Sequence, residues 1–262
     1  MSAEPKLLVT LEDGIKRITF NRPNSRNSVD PETFELFNQA MLDSAQDDSR
    51  VIVLSGAGEA FCSGADLSSF DAMDVANYDV TTSLRERTNP AILAMRAMPK
   101  PIIARVHGPA AGIGCNYALA CDIIVASEQA YFAELFVKIG LMPDGGGTYF
   151  FPRMVGYHKA FELMTLGEVV PAAEAVRLGI ANKVVPFAEL DATVNAIAER
   201  LANAPAIAVA NIKAGLNHAL NSDLAGALEF EAVHQGDCFH SADFREGVAA
   251  FLEKRKPMFT GK

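Results

Sequence analysis

The sequence predicts an α/β protein in which a mainly parallel sheet is followed by a helical C-terminal region. Two observations support this fold class. The short apolar runs VIVLSG, PIIARVHG, CDIIVAS and KVVP are rich in β-branched residues and alternate with helix-period segments, which is typical of β-α-β crossovers. After Pro186 the strand pattern ends, and helix-period segments follow one another. We therefore predict an α/β core over residues 1–200 and a C-terminal helical region over residues 201–262.

The first elements along the chain have clear local signals. Two strand patterns flank Asp13-Gly14 in LLVTLEDGIKRITFN, and Asp-Gly between such patterns is the strongest short hairpin signal. An amphipathic helix is predicted through ETFELFNQAMLDSAQ, because Asp30 suits the N-cap and Pro31 suits the first helical position. The chain therefore begins with a hairpin and a helix, and the alternating pattern follows.

Composition and charge restrict the classes of function. Half of the 262 residues are hydrophobic, which is enough for a sizeable core, and the formal net charge is -9. We expect neither a nucleic-acid nor a membrane partner, because both need a basic surface. The first residues, MSAEPKLLVT, lack the basic and apolar regions of a signal peptide, and no apolar run approaches the length of a membrane span. We therefore expect a cytoplasmic protein.

Common cofactor and nucleophile motifs are missing from the sequence. Gly112-Ile113-Gly114 is followed by Tyr117 where a dinucleotide fingerprint has its third glycine, and Ser63 lacks the first glycine of a nucleophile elbow. The four cysteines have no C-x-x-C spacing, and the five histidines are scattered. We expect no metal site, no nucleotide cofactor and reduced cysteine thiols.

Two glycine-containing turns lead from an apolar strand to a helix, in VIVLSGAGEAFCSGADL and PIIARVHGPAAGIGCNYALACD. Outward-facing backbone N–H groups at such turns form an oxyanion hole when two of them converge on one point. Ordinary strand-to-helix turns have the same spacing, and the spacing alone favours them.

A third stretch, IGLMPDGGGTYFFP, places Asp144 directly before three glycines. Asp is a preferred helix N-cap, whereas consecutive glycines lower helix propensity and allow a close approach of the backbone. This stretch alone leaves two explanations open for Asp144, a helix cap and a functional acid.

Together, five segments resemble the crotonase superfamily, also called the enoyl-CoA hydratase/isomerase family: NRPNSRNS, AFCSGADL, HGPAAGIGCNYALACDIIVAS, KIGLMPDGGGTYFFPRMVG and REGVAAFLEKRKPMF. They span nearly the whole chain in the order typical of the family. The resemblance implies a crotonase-type spiral of β-β-α turns. It also implies a C-terminal helical trimerisation layer, and hence a homotrimer or a homohexamer.

The resemblance implies roles for individual residues. The backbone N–H groups of Ser63 and Ile113 form the oxyanion hole. Hydratases of the family hold water with two glutamates, and Asn116 and Phe136 occupy those positions here. An amide orients a ligand but is not a general base, and a phenyl ring does neither. Glu134 is the nearest acid and shares a face with Phe136 if the segment is an extended strand. A further set of residues lies near the coenzyme A moiety: Arg26, Gly64, Ala65, Asp66 and Leu67.

Asp144 stands where hydratases of the family usually have glycine and several proton-shuttling isomerases have an acid. KIGLMPDGGGTYFFPR most resembles the branch that contains 1,2-epoxyphenylacetyl-CoA isomerase and 3-enoyl-CoA isomerases. The resemblance therefore implies an acyl-CoA double-bond isomerase, of the 3-enoyl-CoA to 2-enoyl-CoA or ring-epoxide acyl-CoA type. Asp144 would shuttle the proton and Asn116 would orient the substrate.

The implied substrate is an acyl-CoA thioester, and no cofactor is expected because coenzyme A is part of the substrate. An enoyl-CoA hydratase is the main alternative. An enzyme that uses the acid as a nucleophile and a non-catalytic scaffold are the others, and the acidic composition argues against an RNA-binding scaffold.

Overall fold

The structure is a computed structural model that describes residues 4–70, 74 and 76–262. One sheet contains, in spatial order, the strands β1, β2, β3, β4, β6 and β9, and a smaller sheet contains β5, β7 and β8. The strands are β1 (Leu7–Glu12), β2 (Ile15–Phe20), β3 (Val51–Gly56), β4 (Ile102–Val106), β5 (Pro109–Ala111), β6 (Ile123–Ser127), β7 (Tyr131–Ala133), β8 (Val169–Pro171) and β9 (Lys183–Val185).

The large sheet is parallel except for its first hairpin. β1 and β2 pair antiparallel through Asp13 and Gly14, whose φ angles of 51° and 74° lie in the left-handed region that a tight hairpin turn requires. From β2 to β9 every neighbouring pair is parallel. The predicted hairpin and the predicted parallel strands are therefore confirmed.

The small sheet, whose three strands have three residues each, is not among the predicted elements. β5 pairs in parallel with β7, and β7 pairs antiparallel with β8. The N–H of Gly112, directly after β5, donates to the carbonyl oxygen of Ala133 at the end of β7 (2.9 Å). The small sheet thus holds the second glycine turn beside the segment that starts at Glu134.

Helices cover both faces of the large sheet. A π-helix (Leu84–Thr88) joins α2 to α3, and 3-10 helices occupy Pro23–Ser25, Leu67–Phe70 and Leu135–Ile139. The α-helices are α1 (Pro31–Gln46), α2 (Val80–Ser83), α3 (Asn89–Ala97), α4 (Ile113–Leu119), α5 (Gly147–Val155), α6 (Tyr157–Leu166), α7 (Ala172–Arg177), α8 (Phe187–Ala202), α9 (Ala206–Ala219), α10 (Leu224–His240) and α11 (Ala242–Glu253). α1 starts as predicted, because Asp30 accepts a hydrogen bond from the N–H of Thr33 (2.9 Å).

Alternate residues of the central strands pack on opposite faces of the sheet. Val51 and Val53 of β3 pack in a cluster with Leu190 of α8, whereas Ile52 and Leu54 belong to the larger core on the other face. α8 is therefore part of the α/β core, and the remaining helices, α9 to α11, follow it.

α9 is attached to the core by the buried side chain of Lys213. Its ammonium group donates to the carbonyl oxygens of Met95 (2.7 Å) and Lys100 (2.9 Å) and to Oδ2 of Asp122 (2.8 Å). Three oxygen partners satisfy all three donors of the ammonium group. In the described part of the chain, no helix combines the length and the hydrophobicity needed to cross a membrane.

Candidate active site

The two glycine turns lie against each other. The N–H of Cys62 donates to the carbonyl oxygen of Pro109, and the N–H of Ala111 donates to the carbonyl oxygen of Cys62, both at 3.0 Å. Gly64 has a φ of +105°, and a Cβ atom there would lie 3.0 Å from the carbonyl oxygen of Ala111 and 3.8 Å from Cα of Gly112. A glycine at position 64 therefore lets the first turn touch the second, which is what an oxyanion hole shared by the two turns requires.

Ser63 does not offer the N–H group that was predicted for the oxyanion hole. This N–H donates to the carbonyl oxygen of Arg26 at 3.0 Å, so it is already occupied. The N–H of Ala65 has no acceptor among the residues that the structure describes. Ile113 is the first residue of α4, and its N–H also has no acceptor there, as is usual at a helix N-terminus. At the two turns, the N–H groups of Ala65 and Ile113 are therefore available to a ligand in the described part of the chain, and the N–H of Ser63 is not.

The residues predicted to lie near coenzyme A have different environments. Gly64 and Ala65 are in the contact between the two turns, and Arg26 and Leu67 are exposed at the surface beside it. Arg26 adopts the left-handed conformation, with a φ of 53°, and its carbonyl oxygen points to the N–H of Ser63. The structure therefore brings this group together along one edge of the first turn.

Asp66 is committed to contacts inside the protein. Its carboxylate accepts hydrogen bonds from Oγ of Ser68 (2.7 Å) and from Nη2 of Arg22 (2.8 Å). These two contacts hold the pKa of Asp66 below its ordinary value. Its carboxylate therefore neutralises Arg22, and the proximity of Asp66 to coenzyme A stays a prediction.

The carboxyl group of Asp144 does not cap a helix. The N-cap of α5 is Gly146, and α5 has no side-chain cap. Asp144 is instead held by its backbone, since its carbonyl oxygen accepts hydrogen bonds from Nδ2 of Asn116 (2.8 Å) and from the N–H of Gly147 (3.0 Å). This arrangement removes the capping explanation and leaves the carboxyl group free.

The glycines after Asp144 allow its loop to pack directly on α4. Gly145 has a φ of +54°, and a Cβ atom there would lie 2.2 Å from Cδ1 of Ile113. A Cβ atom on Gly147 would lie 2.9 Å from Nδ2 of Asn116. Both distances are too short for a real side chain, so the glycines permit the loop to place Asp144 beside the N-terminus of α4.

Burial determines the acidity of Asp144. It raises the pKa of this carboxyl group from 3.8 to about 6, and no hydrogen bond or cation opposes the effect. At neutral pH the group is mostly ionised, yet it is a stronger base than an exposed aspartate. The loop therefore presents a carboxylate suited to accept and return a proton.

The thiols near the two turns are inert. All four cysteines are free, and burial raises the pKa of Cys62 to about 12, so this thiol stays protonated at neutral pH. Within the described segments, no group of three or more His, Cys, Asp or Glu side chains is arranged to hold a metal ion. The side chain that stands out chemically at this site is Asp144.

Comparison with known proteins supplies the family. The family model for enoyl-CoA hydratase/isomerase matches residues 10–262. The chain belongs to the enoyl-CoA hydratase/isomerase family. It is 40% identical over 252 residues to a probable enoyl-CoA hydratase of Rhodobacter capsulatus, with 96% of each chain covered. It is 38% identical to the 1,2-epoxyphenylacetyl-CoA isomerase of Escherichia coli, with 98% of each chain covered.

Solved structures show the same fold. A putative enoyl-CoA hydratase of Streptomyces coelicolor A3(2) matches with a TM-score of 0.93 at 35% identity, covering 100% of this chain and 98% of the other. An enoyl-CoA hydratase subunit of Geobacillus kaustophilus matches with a TM-score of 0.91 at 34% identity, covering 98% and 99%. The predicted crotonase fold is confirmed.

Asn116 and Phe136 occupy the positions where the resemblance to the enoyl-CoA hydratase/isomerase family implies glutamates in hydratases. Asn116 is fully buried, and its Nδ2 holds the loop of Asp144. The ring of Phe136 is buried and would lie 3.9 Å from a Cβ atom on Gly112. Neither position carries an acid, and both side chains support the walls of the site.

Glu134 is the second acid near this site. It precedes the 3-10 helix Leu135–Ile139, so the segment is not the extended strand that was expected to place Glu134 and Phe136 on one face. Glu134 is 1% exposed, and burial raises its pKa to about 8. A single acid within the apolar run YFAELFV is the sequence signal that could have marked it as a buried group.

Proposed function

We propose that this member of the enoyl-CoA hydratase/isomerase family is an acyl-CoA double-bond isomerase, of the 3-enoyl-CoA to 2-enoyl-CoA or ring-epoxide acyl-CoA type. One observation carries the proposal. The carboxyl group of Asp144 has no hydrogen bond within the described part of the chain, is made more basic by burial, and belongs to a loop that packs on Ile113, whose N–H we take as the second oxyanion donor.

Each residue has a defined part in the reaction. The carboxylate of Asp144 removes a proton from C2 of a 3-enoyl thioester, and the negative charge moves to the thioester oxygen. The N–H groups of Ala65 and Ile113 stabilise this enolate oxygen, and removing one such donor costs about 3 to 4 kcal/mol in comparable sites. The carboxyl group then returns the proton to C4, which completes the shift of the double bond. One acid is sufficient for these steps.

An enoyl-CoA hydratase is the second candidate. It is favoured by the relatives named hydratases, among them the short-chain-enoyl-CoA hydratase of Clostridium acetobutylicum, which is 34% identical. Hydration requires a second polar group that holds water. Asn116 and Phe136 lack an acidic group, and Glu134 is buried next to Asn116. An isomerase mechanism therefore accounts for more of the side chains at this site than a hydratase mechanism does.

The substitution Asp144→Asn tests the proposal. It keeps the shape and the carbonyl contacts of the residue but removes the proton carrier, so we expect turnover of a 3-enoyl-CoA to fall by about 10²- to 10⁴-fold. The rise in absorbance of the conjugated 2-enoyl product measures turnover. Asp79→Asn, which changes an exposed acid, is the matched control and should leave the rate unchanged.

Two results would contradict the isomerase. The first is an Asp144→Asn protein that is folded and retains its full rate. The second is rapid hydration of crotonyl-CoA by the unmodified protein with no conversion of 3-enoyl-CoA, which would favour the hydratase.

We further propose that the protein is a homotrimer or a homohexamer. Large apolar side chains remain exposed on and after α11, including Phe251 (83%), Leu252 (74%) and Met258 (80%). Exposed apolar side chains grouped in this way mark interaction surfaces. Light scattering during gel filtration tests this proposal, and a monomer at micromolar concentration would contradict it.

A further inference from the structure

Glu134 is an acid enclosed in the protein without a hydrogen-bond partner. Its side chain is 1% exposed, and neither carboxyl oxygen accepts a hydrogen bond among the described residues. It lies directly before the 3-10 helix Leu135–Ile139, and the side chains of Cys115 and Asn116 on α4 are its polar neighbours. A buried carboxylate without partners is too costly to persist, so its protonation state needs an explanation.

The amide of Asn116 lacks a hydrogen-bond donor for its oxygen among the described residues. Its Nδ2 donates to the carbonyl oxygen of Asp144, but its Oδ1 is buried and accepts no hydrogen bond from the residues that the structure describes. An amide oxygen is only an acceptor, and an ionised carboxylate is only an acceptor. If Glu134 were ionised, Oδ1 of Asn116 would lie beside an anion. Among Glu134, Cys115 and Asn116, the thiol of Cys115 would then be the one donor left for the two carboxylate oxygens and for Oδ1.

Protonation of Glu134 provides a hydrogen-bond partner both for its own carboxyl group and for Oδ1 of Asn116. Its O–H is the donor that Oδ1 of Asn116 lacks, and its other oxygen is free to accept from the thiol of Cys115. We propose that Glu134 is a positioning residue of this enzyme: it keeps its proton at neutral pH and donates it to Oδ1 of Asn116, which fixes the amide so that Nδ2 holds the loop of Asp144. The carboxyl group of Glu134 acts through Asn116 and does not contact substrate.

The environment of Glu134 supports this protonation state. Burial raises the pKa of Glu134 to about 8, and the negative charge of Asp144 adds to the effect, whereas contacts with Cys115 and Asn116 oppose it. Burial also raises the pKa of the Cys115 thiol, so that group stays protonated as a donor. The titratable groups that face Glu134 are therefore the neutral thiol of Cys115, whose contact favours the ionised form, and the carboxylate of Asp144, which disfavours it; burial outweighs the contact with the thiol.

Ionisation of Glu134 would reverse the orientation of Asn116. An anionic Glu134 attracts the Nδ2 of Asn116, which turns the amide and leaves its oxygen against the carbonyl oxygen of Asp144. The loop then loses its side-chain tether. Because a displacement of about 1 Å at a catalytic group can lower a rate about 100-fold, we expect turnover to fall as Glu134 loses its proton.

Infrared spectroscopy tests the protonation state without any assay of turnover. At neutral pH we expect the C=O stretching band of a protonated carboxylic acid in the unmodified protein and its loss in Glu134→Gln. Glu128→Gln, which makes the same change at an exposed position in the same segment, should keep the band. A spectrum without this band, or a band that Glu134→Gln retains, would overturn the proposal.

Kinetics test the positioning role, and this part of the inference rests on the proposed function. Gln supplies a donor and an acceptor without titrating, so Glu134→Gln should keep kcat at neutral pH and maintain it at alkaline pH, where the unmodified enzyme declines. Glu134→Met fills the space without a donor and should lower kcat about 10- to 100-fold with little change in KM.

The outcomes separate the two proposals. A folded Glu134→Met enzyme with unchanged kcat, or parallel alkaline declines for the unmodified enzyme and Glu134→Gln, would overturn the role of Glu134. A protein that shows the infrared band but converts no 3-enoyl-CoA would contradict the proposed function and leave the protonation of Glu134 standing.

Discussion

Replacing Glu134 by Gln should change how the stability of the protein depends on pH. Burial raises the pKa of Glu134 from 4.5 to about 8, so between these values the native state holds a proton that the unfolded chain has released. Stability falls with rising pH wherever the native state binds more protons than the unfolded state. The unmodified protein therefore loses stability across this window, and Glu134→Gln has no such loss from this position.

The size of the effect follows from the shift. One pKa unit corresponds to about 1.4 kcal/mol, so the full shift from 4.5 to about 8 corresponds to roughly 5 kcal/mol at alkaline pH. Between about pH 5 and about pH 9 the unmodified protein should lose roughly 4 kcal/mol of unfolding free energy relative to Glu134→Gln. Asp144 also has a raised pKa, but both proteins contain it, so its effect largely cancels from the difference.

Urea unfolding at several pH values measures this difference. The free energy of unfolding of Glu134→Gln should become progressively larger than that of the unmodified protein as the pH rises from about 5 to about 9. Glu128→Gln, at an exposed position, should follow the unmodified protein. Parallel pH profiles for the unmodified protein and Glu134→Gln would show that Glu134 ionises normally in the folded state, and the reasoning would be refuted.

Three further predictions concern the active-site loop and the docking of α9. Because burial raises the pKa of Asp144 to about 6 and the base must be ionised, kcat/KM should increase as the pH rises through about 6; a flat profile from pH 5 to 8 would contradict this role. Gly145→Ala should lower both stability and turnover, since its Cβ would lie 2.2 Å from Cδ1 of Ile113. Gly140→Ala is the control. Gly140 also has a positive φ, but a Cβ atom there would have no described atom within 4 Å, so this substitution should lower Tm and kcat less. Lys213→Met should lower the unfolding free energy by about 3 kcal/mol, measured in urea, because Asp122 loses its buried cation, although it keeps Arg96, and the carbonyl oxygens of Met95 and Lys100 lose a donor.

The main elements of the fold could be predicted because their signals are local. Asp13-Gly14 specifies the hairpin through two left-handed residues, and Asp30-Pro31 specifies the start of α1 through a side-chain cap. β3 is long enough for its apolar pattern to identify a buried strand. The three-residue strands of the small sheet have no such pattern, and their pairing depends on contacts between distant segments.

Burial and hydrogen bonding at the site could not be read from the sequence. Asp144 and Ile113 were identified from motifs, and the structure shows the free carboxyl group of the first and the free N–H of the second. The N–H of Ser63 is occupied, because the path of the chain decides that this group meets the carbonyl oxygen of Arg26 and that the N–H of Ala65 does not. The amino-acid type at a position does not determine where its backbone N–H points.

The sequence by itself determined the family, the order of the main strands and helices outside the small sheet, and the position of the acid, since these depend on residue types and on their spacing along the chain. Only the tertiary structure decided which backbone amides remain free, that Asp144 is not a cap, and that Glu134 and Asn116 are buried together. These are properties of burial and of hydrogen-bond partners supplied by residues far apart in the chain, and the pKa values of both acids follow from them.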